Sequence, residues 1–386
     1  ISMNKPIKIS TVLVDRANYG RLKPVLAIMN SDADIDLNLV CTGTMLLDRF
    51  GKAVDLVKKD GFDVTEEIYI ELEGSVPSTM AKSIGLAVIE LSNAFQRQSP
   101  DFVLLIGDRS EALGAAIAAV YQNYCLIHIQ GGEITGSIDE SARHAITKLA
   151  HYHFPSTQQS RDNIVQMGER KETVFSFGCP SVDVVKSASI GIDSLTMMEG
   201  VGPSMDLEKE YILVLFHPVT TEYQTAEKNM IEVLEAIKEI DMQTVLIWPN
   251  IDAGSDGVSQ AIRRFREYNH STQLHAYKNF DPEEYIPLLE HAACAIGNSS
   301  SFIRDASFLG TPVVLVGTRQ DGRERTKAVI RVVENKDKIV DAVKCQINHG
   351  RYEASNLYGT VGASTRIVKQ IKLLEKYKQK QFVTKN

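Results

Sequence analysis

The sequence predicts an α/β protein with two doubly wound domains in series, each a parallel sheet covered by helices on both faces. Short, nearly all-apolar runs of strand length alternate with longer stretches of helical character, as expected for strands that are buried on both sides. A more polar, glycine-containing segment around residues 188–209 interrupts this pattern, which then starts again. The chain has 386 residues, enough to bury two sizeable cores.

The apolar runs define the expected strands. In the first block they cover residues 7–14, 37–43, 102–108, 124–130 and 173–178. In the second block they cover residues 211–218, 243–250, 294–300 and 312–318. We therefore expect domains over residues 1–180 and 181–365, with the boundary near Gly178–Val185. The basic, amphipathic pattern of residues 364–380 predicts a final helix that docks on the protein rather than a membrane anchor.

Composition limits the partners and the cellular setting. Charged residues make up 24% of the chain and the net charge is -7, which argues against nucleic acid or an anionic membrane as the main partner. The N-terminus lacks the pattern of a signal peptide, and no apolar run approaches the roughly 18 residues that span a bilayer. The five cysteines show no CxxC spacing, as in proteins of a reducing compartment. We expect a cytoplasmic protein.

The stretch IHIQGGEITGSIDESARH, residues 127–144, carries the densest group of reactive side chains in the sequence. Three acids, two histidines, a glutamine and a glycine pair follow a predicted strand. In open α/β sheets, active sites gather where strands end and helices begin. Acids at such a position also cap the following helix. The residues alone therefore leave both a catalytic site and a helix cap open.

Polar residues follow several other predicted strands. Arg16 comes after the first strand, where it and a helix N-terminus could meet an anion. Asp108 and Arg109 follow the strand over residues 102–108, and a capping role for the aspartate is the alternative. His217 is held beside a rigid proline turn, where a structural, hydrogen-bonded histidine is equally expected.

Residues 297–302, GNSSSF, are the best candidate phosphate site. Ser299 and Ser300 precede a helical segment, so that their hydroxyls, the free N–H groups and the helix dipole would point at one anion. Capping by one serine is the alternative, but it leaves the second serine unexplained. Arg319 lies in a basic loop, and arginines near such a helix suit a diphosphate. Acids in one half and this cradle in the other suggest an interdomain cleft for a nucleotide-sugar.

Six strings in this order resemble the hydrolysing UDP-N-acetylglucosamine 2-epimerases of sialic-acid synthesis, across about residues 7–370. They are GDRSEALGAAIAA, HIQGGEITGSIDESARHAITKLAHYH, FHPVTTE, PNIDAGS, IGNSS and GTPVVLVGTRQDGRE. The resemblance implies two Rossmann-like domains of the GT-B type with an interdomain active-site cleft. It also implies a helix over residues 366–386 that crosses back to the first domain, and a homodimer or homotetramer assembled through the first domain.

The resemblance further implies a reaction. UDP-GlcNAc and water give N-acetylmannosamine and UDP, with no metal and no redox cofactor. The anomeric C–O bond breaks first, UDP leaves, and a 2-acetamidoglucal remains to be hydrated. Carboxylates carry the C2 proton away and return it to the other face, while cations and N–H groups stabilise the departing diphosphate.

By the same resemblance, site residues of the family fall on positions of this chain. The expected catalytic residues are Asp108, Glu133, Asp139 and His217. The expected substrate-binding residues are Arg16, Arg109, Gln130, Asn250, Asn279, Ser299, Ser300, Asp305 and Arg319. The PNIDAGS turn, with Asn250, makes uridine the expected base.

The chain departs from the family pattern at several positions. Gln130 stands where several relatives carry glutamate, so either Glu133 serves as the base or position 130 has been altered to trap substrate. Met45 stands where relatives usually have histidine, and Asp305 stands where a glutamate is expected to hold the ribose hydroxyls. These departures leave open a UDP-2,4-diacetamido-trideoxyhexose of the legionaminic-acid pathway as the substrate. They also leave open a non-hydrolysing epimerase or glycosyltransferase, and a nucleotide-sugar binder without activity.

Overall fold

The first domain is built on a six-stranded parallel sheet. The computed structural model describes residues 5–74, 76–187, 200–249, 252–270 and 272–384. The strands of the first sheet are β1 (Ile7–Leu13), β2 (Ile35–Thr42), β3 (Val64–Ile68), β4 (Phe102–Ile106), β5 (Cys125–Ile129) and β6 (Tyr152–Phe154). Their order is β3-β2-β1-β4-β5-β6 and every pairing is parallel. This is the strand order of a doubly wound domain, with its ligand crevice where the order reverses, between β1 and β4.

The second domain repeats the plan. Its strands are β7 (Gly200–Val201), β8 (Tyr211–Leu215), β9 (Gln243–Ile247), β10 (Leu274–Tyr277), β11 (Cys294–Gly297), β12 (Val313–Val316) and β13 (Val329–Val332). They follow the order β13-β12-β11-β8-β9-β10-β7, in which only the short edge strand β7 is antiparallel. The expected fold class of two Rossmann-like, doubly wound domains is confirmed.

Helices cover both faces of each sheet. Those that follow strands of the first sheet are α1 (Arg16–Ser31), α2 (Val54–Lys59), α3 (Pro77–Gln98), α4 (Ser110–Tyr121), α5 (Ile138–Leu149) and α6 (Gln158–Gln166). The remainder are α7 (Ser181–Ser187), α8 (Ala226–Ile240), α9 (Ser255–Tyr268), α10 (Pro282–His291), α11 (Ser301–Leu309), α12 (Lys336–His349) and α13 (Ala363–Ile371). Among the described residues, no helix combines the length and the apolar character needed to cross a membrane.

Each sheet separates two apolar cores, which explains why its strands read as continuous apolar runs. In β2, Leu39 and Cys41 pack on one side of the first sheet, while Val40 between them packs on the other. The second sheet divides its core in the same way, with Val214 on one side and Leu213 on the other. Side chains of successive strand residues point to opposite faces, so both faces need apolar residues.

The strand predicted over residues 173–178 is wrong. Residues Lys171–Thr173 form a 3₁₀ turn, and the segment touches the sheet only through one bridge between Val174 and His153. Its alternating pattern has another cause, because Phe175 and Phe177 pack their rings against Phe154 at the edge of the sheet. Five shorter or more polar strands escaped prediction: β3, β6, β7, β10 and β13.

The helix predicted over residues 364–380, and over 366–386 by resemblance, is too long. Helix α13 ends at Ile371, and the following residues continue without helical structure along the first domain. Backbone carbonyls of this tail accept hydrogen bonds from first-domain side chains, at Glu375 from the Tyr152 hydroxyl (2.7 Å) and at Lys378 from the His151 ring (3.0 Å). A carbonyl engaged in this way does not need a helical partner, so docking replaces the helix.

Candidate active site

A wide cleft lies between the two domains. It encloses a cavity of about 820 Å³, whose walls combine the loop after β1, the loop after β4 and the N-termini of α1, α9 and α11. Nine residues of the expected site line it: Asp108, Arg16, Arg109, His217, Asn279, Ser299, Ser300, Asp305 and Arg319. The site thus forms at the carboxyl ends of both sheets, as the strand pattern led us to expect.

Helix α1 brings two arginines to the cavity. Asp15 caps the helix by accepting a hydrogen bond from the Asn18 amide (2.6 Å). Arg16 begins the helix and reaches across to the second domain, where its Nη1 lies 3.0 Å from Asp281. Arg21, one and a half turns further on, also lines the cavity, and burial lowers the pKa of its guanidinium to about 10. No ion pair joins Arg21 to a carboxylate among the described residues.

The loop after β4 brings Asp108 and Arg109 to the cavity. Asp108 forms an ion pair with Arg143 of α5. Arg109 is almost fully buried and its Nη1 lies 2.5 Å from Asp252 of the second domain, with Glu111 on its other side at 3.2 Å. Arg109 therefore links the domains and presents only part of its guanidinium to the cleft.

The acids after β5 differ in their surroundings. Glu133 is buried and is held by two arginines of the second domain, Arg323 at 2.6 Å and Arg304 at 3.5 Å. It is not among the residues that line the cavity. Asp139 pairs with Arg319 at 3.5 Å, and burial together with the nearby Asp252 raises the pKa of its carboxyl. A raised pKa suits a group that accepts and returns a proton.

His217 stands at the end of β8 with its backbone fixed. The side chain of Asn298 bonds both its amide and its carbonyl, at 2.7 and 2.8 Å. Burial, with Arg319 and Arg109 nearby, lowers the pKa of His217 to about 3 despite the opposing effect of Asp252. The imidazole is therefore neutral at physiological pH, and it can donate or accept a hydrogen bond in the cleft.

The N-terminus of α11 lies at the cavity, where the sequence predicts a phosphate site. Ser299, Ser300 and Ser301 all line the cavity at the start of the helix. The side chain of Ser300 makes no capping bond, while the Ser301 amide donates to the Ser299 hydroxyl (3.4 Å) and the Phe302 amide donates to the Ser299 carbonyl (3.2 Å). The Ser300 hydroxyl accepts a hydrogen bond from Arg304 (2.7 Å). An arginine beside a helix N-terminus is an arrangement that suits a phosphate group.

The part of the cavity near Asn279 is lined by aromatic and apolar side chains together with polar ones. Trp248, Pro249, Lys278 and Phe280 line it together with the predicted Asn279, a mixture that suits a flat heterocyclic base. The amide of Asn279 donates to the Phe50 carbonyl of the first domain. Asn250, the other residue expected here, lies outside the described residues.

Two positions at which the chain departs from the family pattern, Gln130 and Met45, do not line the cavity. Gln130 is 1% exposed, has a left-handed backbone (φ 65°), and donates its side-chain N–H to the Cys179 sulfur at 2.7 Å. Met45, which stands where relatives usually have histidine, is fully buried in the first-domain core. A group of metal ligands is also absent from the part of the chain that the structure describes.

Sequence reasoning missed the arginines that surround Glu133. Arg143, Arg304 and Arg323 are all buried at the domain interface. Arg304 carried a detectable signal, since it interrupts an otherwise apolar turn one position before Asp305. Arg323 sat in the basic loop whose arginines were assigned to a diphosphate as a group. Nothing in the sequence indicates that this arginine turns to a carboxylate 190 positions away.

The fold is that of a two-domain α/β protein, and the cleft between its domains is lined by several arginines, among them Arg16, Arg109 and Arg319. The solved UDP-GlcNAc 2-epimerase of Methanocaldococcus jannaschii, in complex with UDP-GlcNAc and UDP, has this fold. It superposes with a TM-score of 0.76 at 18% identity, over 95% of this chain and all of that one.

Sequence comparison identifies the family. The UDP-N-acetylglucosamine 2-epimerase family model matches residues 27–372. The UDP-N,N'-diacetylbacillosamine 2-epimerase (hydrolyzing) of Legionella pneumophila is 34% identical over 96% of this chain and 97% of its own. The UDP-N-acetylglucosamine 2-epimerase of Neisseria meningitidis is 30% identical over 91% and 90%. The chain belongs to this 2-epimerase family, in its hydrolysing branch, and the resemblance stated from the motifs is confirmed.

Proposed function

We propose that the protein hydrolyses a UDP-linked 2-acetamido sugar with inversion at C2, releasing UDP and the free 2-epimer. One observation carries the proposal. The cavity joins the serine-rich N-terminus of α11, which suits a diphosphate, to Asp108 on the opposite wall, with Asp139 adjacent through Arg319. This arrangement supports a site between the two domains in which the leaving group and the proton-transfer groups would meet.

The first step is loss of UDP. As the anomeric C–O bond breaks, negative charge grows on the diphosphate. The α11 N-terminus, with Ser299 and Ser300, stabilises that charge. Arg16 and Arg319 stabilise it further from the two sides of the cleft. Neutral His217 donates a hydrogen bond to the same oxygens without competing for the proton.

The second step concerns the proton on C2, which becomes acidic once positive charge develops at C1. We assign its removal and return to Asp108 and Asp139, because Asp108 faces the cavity and the pKa of Asp139 is raised. Water then adds at C1 of the 2-acetamidoglucal. Glu133 remains a predicted base, and its two arginine partners favour a role in holding the loop.

Two sugars are candidates. UDP-GlcNAc, giving N-acetylmannosamine for sialic-acid synthesis, is the substrate that the motifs imply. UDP-N,N'-diacetylbacillosamine, a 2,4-diacetamido sugar, is favoured by the 34% identity to the Legionella enzyme named for it. We further propose a cytoplasmic homodimer or homotetramer that binds no nucleic acid and no membrane and requires no cofactor.

Proton NMR in deuterium oxide tests the proposal with each UDP-sugar in turn. Release of UDP together with a free 2-epimer carrying deuterium at C2 is the expected result, and the faster sugar is the substrate. Asp108→Asn should abolish turnover, whereas Glu133→Gln should abolish it only if Glu133 is the base. Intact UDP-sugar after long incubation would overturn the proposal, and a UDP-linked epimer would favour a non-hydrolysing reaction.

A further inference from the structure

A buried chain of four polar side chains joins the two domains behind the cavity. Gln130 of the first domain donates to the Cys179 sulfur (2.7 Å). That sulfur lies 2.9 Å from the Ser181 hydroxyl, which donates to the Asp305 carboxylate (2.8 Å). All four residues are at most 7% exposed. We call this set, Gln130, Cys179, Ser181 and Asp305, the polar chain.

The hydrogen bonds of the polar chain run in one direction. The Ser181 hydroxyl has a single hydrogen to donate and donates it to Asp305. Its contact with Cys179 must therefore be a hydrogen bond that it accepts from the thiol. The thiol in turn accepts from the amide of Gln130. Cys179 and Ser181 therefore each accept one hydrogen bond and donate one, and the series ends at the Asp305 carboxylate. A carboxylate at position 130 would have no N–H to donate, so the series would break at Cys179.

The polar chain lies where the polypeptide crosses between the domains. Gly178 precedes Cys179 and packs directly on Gly359 of the returning segment, since a Cβ on Gly178 would stand 2.7 Å from the Gly359 Cα. The Cys179 amide also donates to the Tyr358 carbonyl (2.7 Å). The two segments that connect the domains therefore meet at the polar chain, to which Asp305 is hydrogen-bonded.

Only the last two members of the polar chain reach the cleft. Asp305 lines the cavity, as does Ser181, whereas Gln130 and Cys179 do not. Ser181 occupies Oδ1 of Asp305 and leaves Oδ2 for a ligand. We propose that Gln130 is a positioning residue, which acts through Cys179 and Ser181 to fix the Asp305 carboxylate for the ribose hydroxyls of the bound nucleotide. This inference rests on the proposed function, because it requires a uridine nucleotide in the cleft.

Electrostatics at Asp305 agree with this geometry. Burial raises the pKa of the Asp305 carboxyl, while Arg304 and the Ser181 hydrogen bond oppose the rise. Losing the Ser181 bond moves the pKa further upwards, so the carboxylate is protonated at a higher pH and then accepts ribose hydroxyls less well. Asp305 has one methylene fewer than glutamate, and an acid of shorter reach depends more on an exact placement of its carboxylate.

Binding of UDP and of 2',3'-dideoxy-UDP, measured by calorimetry, tests the inference without turnover. The unmodified protein should prefer UDP about tenfold or more, as expected for hydrogen bonds to a charged group. We expect a several-fold smaller preference in Gln130→Leu, Cys179→Ala and Ser181→Ala. These changes should weaken the binding of UDP and leave the binding of dideoxy-UDP unchanged. Cys179→Ser should retain more of the preference for UDP than Cys179→Ala. In Ser181→Ala, UDP binding should weaken at a higher pH than in the unmodified protein as the pH is lowered.

Cys125→Ala is the matched control, because it removes the same atoms from a buried site outside the polar chain. It should leave the preference for UDP intact. An unchanged preference in folded Gln130→Leu would overturn the inference, and so would equal binding of the two nucleotides by the unmodified protein. Failure of the unmodified protein to bind either nucleotide would instead overturn the proposed function.

Discussion

At the residue scale, the sequence located the polar loops of the site but not the direction of every side chain in them. Ser299 and His217 line the cavity, and this was predictable because helix starts and the ends of buried strands gather at the carboxyl edge of the sheet. Gln130 and Glu133 follow a buried strand in the same way, yet they turn to Cys179 and to Arg323. Those partners lie 49 and 190 positions away, and no local pattern records such pairs.

His128 gives the protein an acid-dependent loss of stability. It lies in β5 with its ring nitrogens near the Gly107 carbonyl (2.7 Å) and the Thr147 hydroxyl (3.2 Å), and burial lowers its pKa to about 3. Histidine in the unfolded chain titrates near 6.5. The unfolded chain therefore takes up a proton that the folded chain excludes, so the stabilisation present above pH 6.5 is lost as the pH falls toward 3.

The free energy of unfolding should fall by about 2 kcal/mol between pH 7 and pH 5 on account of His128 alone. Urea unfolding of the unmodified protein and of His128→Gln measures this contribution as the difference between their pH dependences. The variant should lose less stability over the same interval. Equal losses in the two proteins would show that His128 is protonated in the folded state.

At the element scale, strands buried on both faces and long helices were predictable, and edges were not. β4 reads FVLLI and β8 reads YILVL, and all ten residues are buried, as a parallel sheet covered on both faces requires. β3 reads VTEEI and β13 reads VIRV, since edge strands bury fewer side chains and retain polar residues. The tail after α13 has helical composition, but its docking contacts decide its conformation.

Tyr377 should be the main anchor of that tail. Its ring makes edge contacts with Tyr152 and His151, and its hydroxyl donates to the His151 carbonyl (2.9 Å). Tyr377→Ala should lower the free energy of unfolding by about 2 kcal/mol, less than for a fully buried aromatic residue. Urea unfolding measures it, with Leu373→Ala as control, because Leu373 belongs to the same segment and is 73% exposed. Equal effects of the two changes would mean that the tail does not dock in solution.

At the scale of the whole molecule, buried ion pairs hold the domains together across the cleft. Glu133 and Arg323 are 4% and 2% exposed, and Arg109 and Asp252 are 8% and 5% exposed. Two domains in series were predictable from the repeated pattern. Their closed arrangement was not, because it depends on pairs of charges that become neighbours only after both domains have folded.

Breaking the Glu133–Arg323 pair should both destabilise the protein and open the cleft. Arg323→Met leaves the carboxylate short of one buried partner, and loss of one member of a buried pair costs about 3–5 kcal/mol. Urea unfolding measures the loss, and small-angle X-ray scattering should show a larger radius of gyration. Lys209→Met, which breaks an exposed pair with Asp206, should change neither quantity. An unchanged radius in Arg323→Met would mean that other contacts keep the domains closed.

Helix α13 contributes Ile367, Val368 and Ile371 to the same apolar core as β1 and α1. The first domain is thus assembled from two distant parts of the chain, with the second domain inserted between them. During synthesis, the ribosome must complete the entire second domain before the first domain receives its last core residues. A nascent first domain therefore leaves the apolar surface of α1 that packs on α13 uncovered until residues 363–371 have been synthesised, and a fragment that stops near residue 180 lacks the segment that covers it.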